Sequence, residues 1–276
     1  MTKISAAEVN KLRKQTGAGM MDCKKALTEA EGDFNKAIEI IREKGIAVAN
    51  KRSDREASEG VVFAKTTNDQ KQGFIISLNC ETDFVAKNDD FIKFANQILE
   101  LATEKQPKDL DGLKKLDMDG KTVEEIVVEQ TGIIGEKLQL SYYDYIEAPQ
   151  VNHYIHMDNK LATLIGLNKE NIDPQVGKNI AMQVAAMNPV AIDKEGVPQD
   201  VIDKELEIGR NQAKAEGKPE KILDKIAQGK LGKYMKENTL LNQEFIKESK
   251  KSVKQYLQEA DKELTVTDFK RYSLKG

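Results

Sequence analysis

The chain has 276 residues, 32% of them charged, and its 43 basic and 46 acidic side chains leave a formal net charge of −3. That balance argues against a polybasic nucleic-acid binder, which needs excess cation to displace counterions, and leaves room only for a local basic patch. Hydrophobic residues make up 39%, mean hydropathy is −0.57, and no apolar run approaches the roughly 20 residues of a membrane helix.

The first 45 residues read as three short helices. Ser5-Ala6-Ala7-Glu8 is a capping box, with Ile4 and Val9 placed as its hydrophobic staple. Thr16-Gly17-Ala18-Gly19 ends the first helix, and Met20, Cys23, Ala26 and Leu27 form one stripe of the second. Gly32 closes that helix, Asp33 caps the next, and Phe34, Ala37, Ile38 and Ile41 mark its buried face up to Gly45. The segment from Asn50 to Gly60 is charged, lacks apolar periodicity and reads as a linker.

From Gly60 the period changes to that of strands. Val61 to Ala64 and Gly73 to Cys80 pair over a polar turn, Thr67 to Gln72. Asn88 then opens a helix carrying Phe91, Phe94, Ala95, Ile98 and Leu99. Glu104 to Lys121 reads as a polar loop, Thr122 to Gly135 as a helix, and Leu138 to Ile146 as a strand. A second α+β unit follows. Val151 to His156 and Lys160 to Leu167 form a hairpin, and Asp173-Pro174 starts a helix that stops at Asn188-Pro189. Ile202, Leu206, Gly209 and Ala213 repeat at heptad spacing, Gly217-Lys218-Pro219 turns the chain, and Leu223, Ala227, Leu231 and Tyr234 return. This is an antiparallel helical hairpin with charged outer faces. A helix near Ser252 to Glu259 and a strand over Leu264 to Leu274 complete the chain, that strand lying beside the earlier hairpin. The fold class is therefore α+β and multi-domain, which also fits the low aromatic content of 5%.

Chemistry-bearing motifs are scarce. There is no GxSxG and no HExxH. Gly112 to Thr122 lacks phosphate-loop spacing, and no strand precedes it. Two histidines, His153 and His156, with two distant cysteines, Cys23 and Cys80, do not make a zinc set or a disulfide framework. Met1 to Lys14 show neither a signal core nor a transit pattern. The expectation is a cytoplasmic protein that is not an enzyme, takes no cofactor or metal, and contacts neither membrane nor nucleic acid directly.

Two long stretches are similar to the signatures of the elongation factor Ts family. One runs from Leu12 through Lys14-Gln15-Thr16-Gly17-Ala18-Gly19-Met20-Met21-Asp22-Cys23 to Leu27. The other is Asn79-Cys80-Glu81-Thr82-Asp83-Phe84-Val85-Ala86-Lys87. Met182 to Pro189 and Gly217-Lys218-Pro219 add support, and the resemblance spans nearly the whole chain. It implies a ubiquitin-associated-like helical domain at 1–50, a linker at 51–59, a first core subdomain at 60–147 and a second at 148–276, with the helical hairpin 199–237 inserted. It also implies a guanine-nucleotide exchange factor for the GTPase elongation factor Tu, acting on its GDP-bound and nucleotide-free forms.

By the same resemblance Phe84 is a wedge between helices of the GTPase, Asp83 lies beside it, and the intrusion of Thr82, Asp83, Phe84 and Val85 dislodges magnesium. Leu12, Met20 and Met21 are candidates for docking the N-terminal domain, though each also fits its core; Met20 belongs to the core stripe and Met21 is the better contact. His156 and Lys160 match contact positions in the second core half. The helical hairpin reads as a solvated projection that touches the GTPase or a second copy of this chain. Asn159 and Ala162 stand where the family usually has glycines, Glu244 where it commonly has Pro, and its frequent C-terminal extension has no counterpart here. Two other readings fit parts of the sequence: an adaptor that binds ubiquitin-like partners through residues 1–50, and an RNA-binding translation protein. The charge balance argues against the second.

Overall fold

The computed structural model describes residues 4–275 and divides into two compact units. The first takes the chain up to Phe63, Ile76–Asp144 and the chain from Leu274; the second takes Ala64–Ile75 and Tyr145–Ser273.

The first unit begins with α1 (Ala6–Thr16), α2 (Met20–Glu29) and α3 (Phe34–Lys51). The capping box at Ser5 forms: Glu8 N–H donates to Ser5 Oγ at 3.2 Å, and Ser5 N–H donates to the Glu8 carboxylate at 2.7 Å. Gly17 ends α1 in the left-handed region at φ 72°, where a side chain would be strained. Val9, Leu12, Cys23, Ala26, Leu27 and Ala37 close the core of the three helices, with Ile4, Phe34, Ile38 and Ile41 against it.

Next come β1 (Glu59–Thr66) and β2 (Gln72–Cys80), joined by a turn in which Thr67 N–H donates to Gln72 O at 2.9 Å. The single helical turn α4 (Asp83–Ala86) follows, then α5 (Asp89–Lys105), whose N-cap Asn88 accepts from Asp90 N–H at 2.8 Å. Two short elements interrupt the stretch expected to be a loop. One is α6 (Leu110–Lys114), capped by Asp109; the other is a minimal hairpin of β3 (Asp117–Met118) and β4 (Lys121–Thr122). A second capping box, Thr122 with Glu125, starts α7 (Val123–Ile134), and Gly135 ends it. The strand β5 (Gln139–Glu147) then completes a sheet of order β1-β2-β5.

The expectation that Gly45 stops the third helix is corrected. The helix continues to Lys51, and Gly45 lies inside it where α3 crosses α7 so closely that a Cβ on Gly132 would overlap the Gly45 backbone. The segment read as linker from Asn50 therefore starts inside a helix.

The second unit holds β6 (Gln150–Ile155), β7 (Leu161–Leu167), α8 (Pro174–Met187), α9 (Gln199–Ala215), α10 (Glu220–Asn238), α11 (Val253–Ala260) and β8 (Val266–Ser273). Its sheet has the order β6-β7-β8, all antiparallel, so the last strand lies beside the hairpin as the sequence implied. α8 packs on this sheet closely enough that a Cβ on Gly177 would overlap the Asn152 side chain. Ile165, Leu167, Ile180, Val184, Leu240, Phe245, Val253, Leu257 and Val266 form the core. α9 and α10 form the expected hairpin. A Cβ on Gly209 would stand 3.1 Å from the Ala227 Cα, so the helices meet nearly backbone to backbone there. Among the described residues, no helix is long and apolar enough to cross a membrane.

Candidate functional site

The segment that follows β2 is held by a dense set of polar contacts. Cys80 is fully buried and its thiol donates to Thr82 O at 3.1 Å. Burial, with the nearby Glu136 carboxylate, pushes that thiol up to about 12, so Cys80 is inert packing and not a nucleophile. Partial burial works against the charge of Glu81. Even so, Lys137 N–H at 2.6 Å and the guanidiniums of Arg52 at 2.7 Å and Arg55 at 3.3 Å hold its carboxyl below the usual range. The Lys137 ammonium reaches back to the Ser53 and Arg55 carbonyls at 2.7 and 2.9 Å.

Thr82 is fixed twice. Its N–H and its hydroxyl donate to the two carboxylate oxygens of Glu136 at 3.0 and 2.7 Å. Its Oγ1 also accepts from Val85 N–H at 3.4 Å, as the N-cap of α4. Asp83 pairs with Lys87 one turn on, at 2.7 Å. Val85 is half-buried and Ala86 buried, so this turn is anchored on one side. On the other side stands Phe84, 83% exposed. It does not pack under its own turn. The turn thus holds a large apolar ring in water on a rigid support.

The N-terminal candidates separate. Leu12 is 0% exposed, so its side chain is core and is not presented to a partner. Met20, placed on the core stripe by its spacing, is 50% exposed, and Met21 is 65% exposed. The stripe runs out at the first residue of α2, where the neighbouring helices no longer cover it. Both methionines therefore offer adaptable apolar surface in the first unit, which also carries Phe84.

In the second unit, His156 and Lys160 sit at the β6–β7 turn. His156 is exposed, its Nδ1 3.0 Å from the Tyr154 hydroxyl, and Lys160 is half-buried. His156 N–H donates to Leu161 O at 2.8 Å, and Asn159 takes the left-handed conformation at φ 56°. The tip of this turn displays Met157, 92% exposed, which sequence reasoning missed. Its signal was an apolar residue at the apex of a polar turn, between two residues already singled out. His153 instead points toward Thr66, its Nδ1 3.4 Å from that hydroxyl, and burial lowers its basicity, with Lys178 and Lys65 adding to the effect. Among the described residues, no group of His, Cys, Asp or Glu is placed to hold a metal ion.

Residues 81–275 match the family model described as Elongation factor TS. Among curated proteins, the chain is 55% identical over 276 residues to the elongation factor Ts of Christiangramia forsetii, covering 99% of this chain and 100% of that one. It is 52% identical over 274 residues to the elongation factor Ts of Porphyromonas gingivalis, covering 98% of each. To that of Amoebophilus asiaticus it is 52% identical over 270 residues, covering 97% of this chain and 98% of that one.

Proposed function

This chain belongs to the elongation factor Ts family of translation elongation factors, and from that premise we propose that it is the guanine-nucleotide exchange factor of elongation factor Tu. It binds the GDP-loaded GTPase, displaces magnesium and releases GDP. The observation that carries this reading is the exposed ring of Phe84 on a turn locked by Glu81, Thr82 and Glu136.

Exchange needs no covalent chemistry. A factor that binds the nucleotide-free GTPase more tightly than the loaded form weakens nucleotide binding by the same factor, and rebinding nucleotide expels it. The nucleotide is held mainly through phosphate-loop amides and a magnesium ion, so a wedge that shifts the elements around them has most leverage. Phe84 is that wedge. Asp83 and Val85 flank it, and Thr82 sets its angle. Met20 and Met21 supply a second contact on the nucleotide domain, while residues 148–276, through His156, Lys160 and the exposed Met157, engage a more distal domain. The protein works in the cytoplasm, where translation takes place.

The test is release of fluorescent GDP from purified elongation factor Tu. Micromolar chain should accelerate release severalfold or more over the spontaneous rate. No acceleration would refute the reading, and binding to ubiquitin-like proteins by the same chain would favour the adaptor instead.

A further inference from the structure

The end of α7 and the turn after it touch four separate pieces of the first unit within six residues. Gly132 lies against α3: a Cβ there would overlap the Gly45 Cα and stand 2.9 Å from its carbonyl carbon. Ile133 lies under the α1–α2 turn, its Cδ1 and Cγ2 each 3.7 Å from the position of a Cβ on Gly17. Glu136 grips Thr82 through both carboxylate oxygens. Lys137 grips Glu81 through its N–H and the Ser53 and Arg55 carbonyls through its ammonium. The second contact supports the turn that leads into Met20 and Met21, and the first fixes α7 on α3, against which α2 packs. The last two support the turn that carries Phe84. One turn earlier, Glu129 reinforces the crossing by pairing with Arg42 at 2.9 Å and with Lys121 at 2.6 Å.

We infer that residues 132–137 are a positioning bracket, which fixes the separation of the Met20–Met21 face from Phe84 so that both reach one partner surface together. This rests on the exchange-factor reading for the identity of that partner. None of the bracket residues needs to touch the GTPase. Their effect is on effective concentration. When one contact forms, a rigid link presents the other at the right place, whereas a slack link loses that gain.

The Gly45–Gly132 crossing supplies an internal control because it is asymmetric. A Cβ on Gly132 meets backbone, which cannot move aside. A Cβ on Gly45 would stand 3.6 Å from the Gly132 Cα, an ordinary contact, and Ala is the better helix former. The same methyl group on the two faces of one crossing should therefore give different outcomes.

The experiment uses the full chain with spin labels at Met21→Cys and Gln97→Cys; the native Cys23 and Cys80 are fully buried and stay unlabelled. Gly132→Ala should shift or broaden the label-to-label distance. It should also raise the concentration for half-maximal GDP release from elongation factor Tu about tenfold, with the maximal rate within about twofold. Gly45→Ala should change neither. Met21→Ala should weaken the parent protein but add nothing to Gly132→Ala. Should Gly132→Ala not fold, Ile133→Ala, which only removes contacts, carries the same two readouts. An unchanged distance, or a changed distance with unchanged concentration dependence, overturns the bracket. If the parent protein fails to speed GDP release at all, the exchange reading falls, and the distance measurement still decides whether residues 132–137 set the separation.

Discussion

Replacing Phe84 with Ala separates binding from folding, because the ring is 83% exposed. At about 25 cal/mol per Å², the buried sixth of a ring of about 200 Å² is worth under about 1 kcal/mol, and the fold should lose no more than that. For a chain of this size that is a fall of at most about 2–4 °C in melting temperature. The partner's side of the sum is larger. An aromatic side chain of about 200 Å² with 83% in water offers about 165 Å², and at about 25 cal/mol per Å² the ceiling is about 4 kcal/mol. Truncating a central aromatic anchor commonly costs about 2–4 kcal/mol. GDP release promoted by Phe84→Ala should therefore fall about 30- to 1000-fold in second-order efficiency. The assay is stopped-flow release of fluorescent GDP from elongation factor Tu across a range of chain concentrations, beside a thermal melt of the chain alone. Exchange within twofold of the parent protein would refute the wedge. A melting temperature lowered by 5 °C or more would show that the ring is structural.

Glu136→Ala should leave the bulk fold intact while speeding amide hydrogen exchange at residues 82–86, since it removes two hydrogen bonds to a charged acceptor worth about 1.5–3 kcal/mol each; unchanged protection there would contradict the locking of Thr82. His153 has a depressed pKa, so the unfolded chain binds its proton first as pH falls. The stability it contributes is present above the ordinary His value near 6.5 and is lost as pH drops through that value toward the lower folded one. His153→Gln should flatten the melting temperature between pH 7.5 and 5.5 relative to the parent protein, and an identical slope in both would remove His153 as its cause. In the helical hairpin, Gly209→Leu should expose the amides of α9 and α10 to hydrogen exchange, because the Ala227 backbone leaves no room. Arg210→Ala, which removes an ion pair exposed on both sides, should cost at most about 0.5 kcal/mol by chemical denaturation.

Much of the fold could be read from local chemistry. Ser5, Asp33, Asn88, Thr122, Asp173 and Ser252 each begin a helix through a side-chain cap, a signal carried within four residues of sequence. Gly45 misled because a glycine signals a helix end by its conformational freedom, whereas here it lies inside a helix, at a crossing with Gly132 far along the chain. The segment from 104 to 121 was opaque because a five-residue helix and two-residue strands are too short to show a period. Met20 matched a stripe, yet the stripe cannot tell where neighbouring helices stop covering it. The candidate site divides the same way. Phe84 was found through its motif, but the contacts that hold it join Arg52 to Glu81, Thr82 to Glu136 and Glu81 to Lys137, pairs that no local pattern connects.

The strand order of the second unit also dictates when that unit can be finished during synthesis. β7 waits for β8, which begins at Val266, about a hundred residues after β7 ends at Leu167, so the sheet keeps an open edge until the intervening helices have been made. The α9–α10 hairpin shortens that wait, since it zips up on its own helices and brings the chain back close to where it left. A chain that stops before Val266 would display the unpaired edge of β7, a template for association with other unfinished chains.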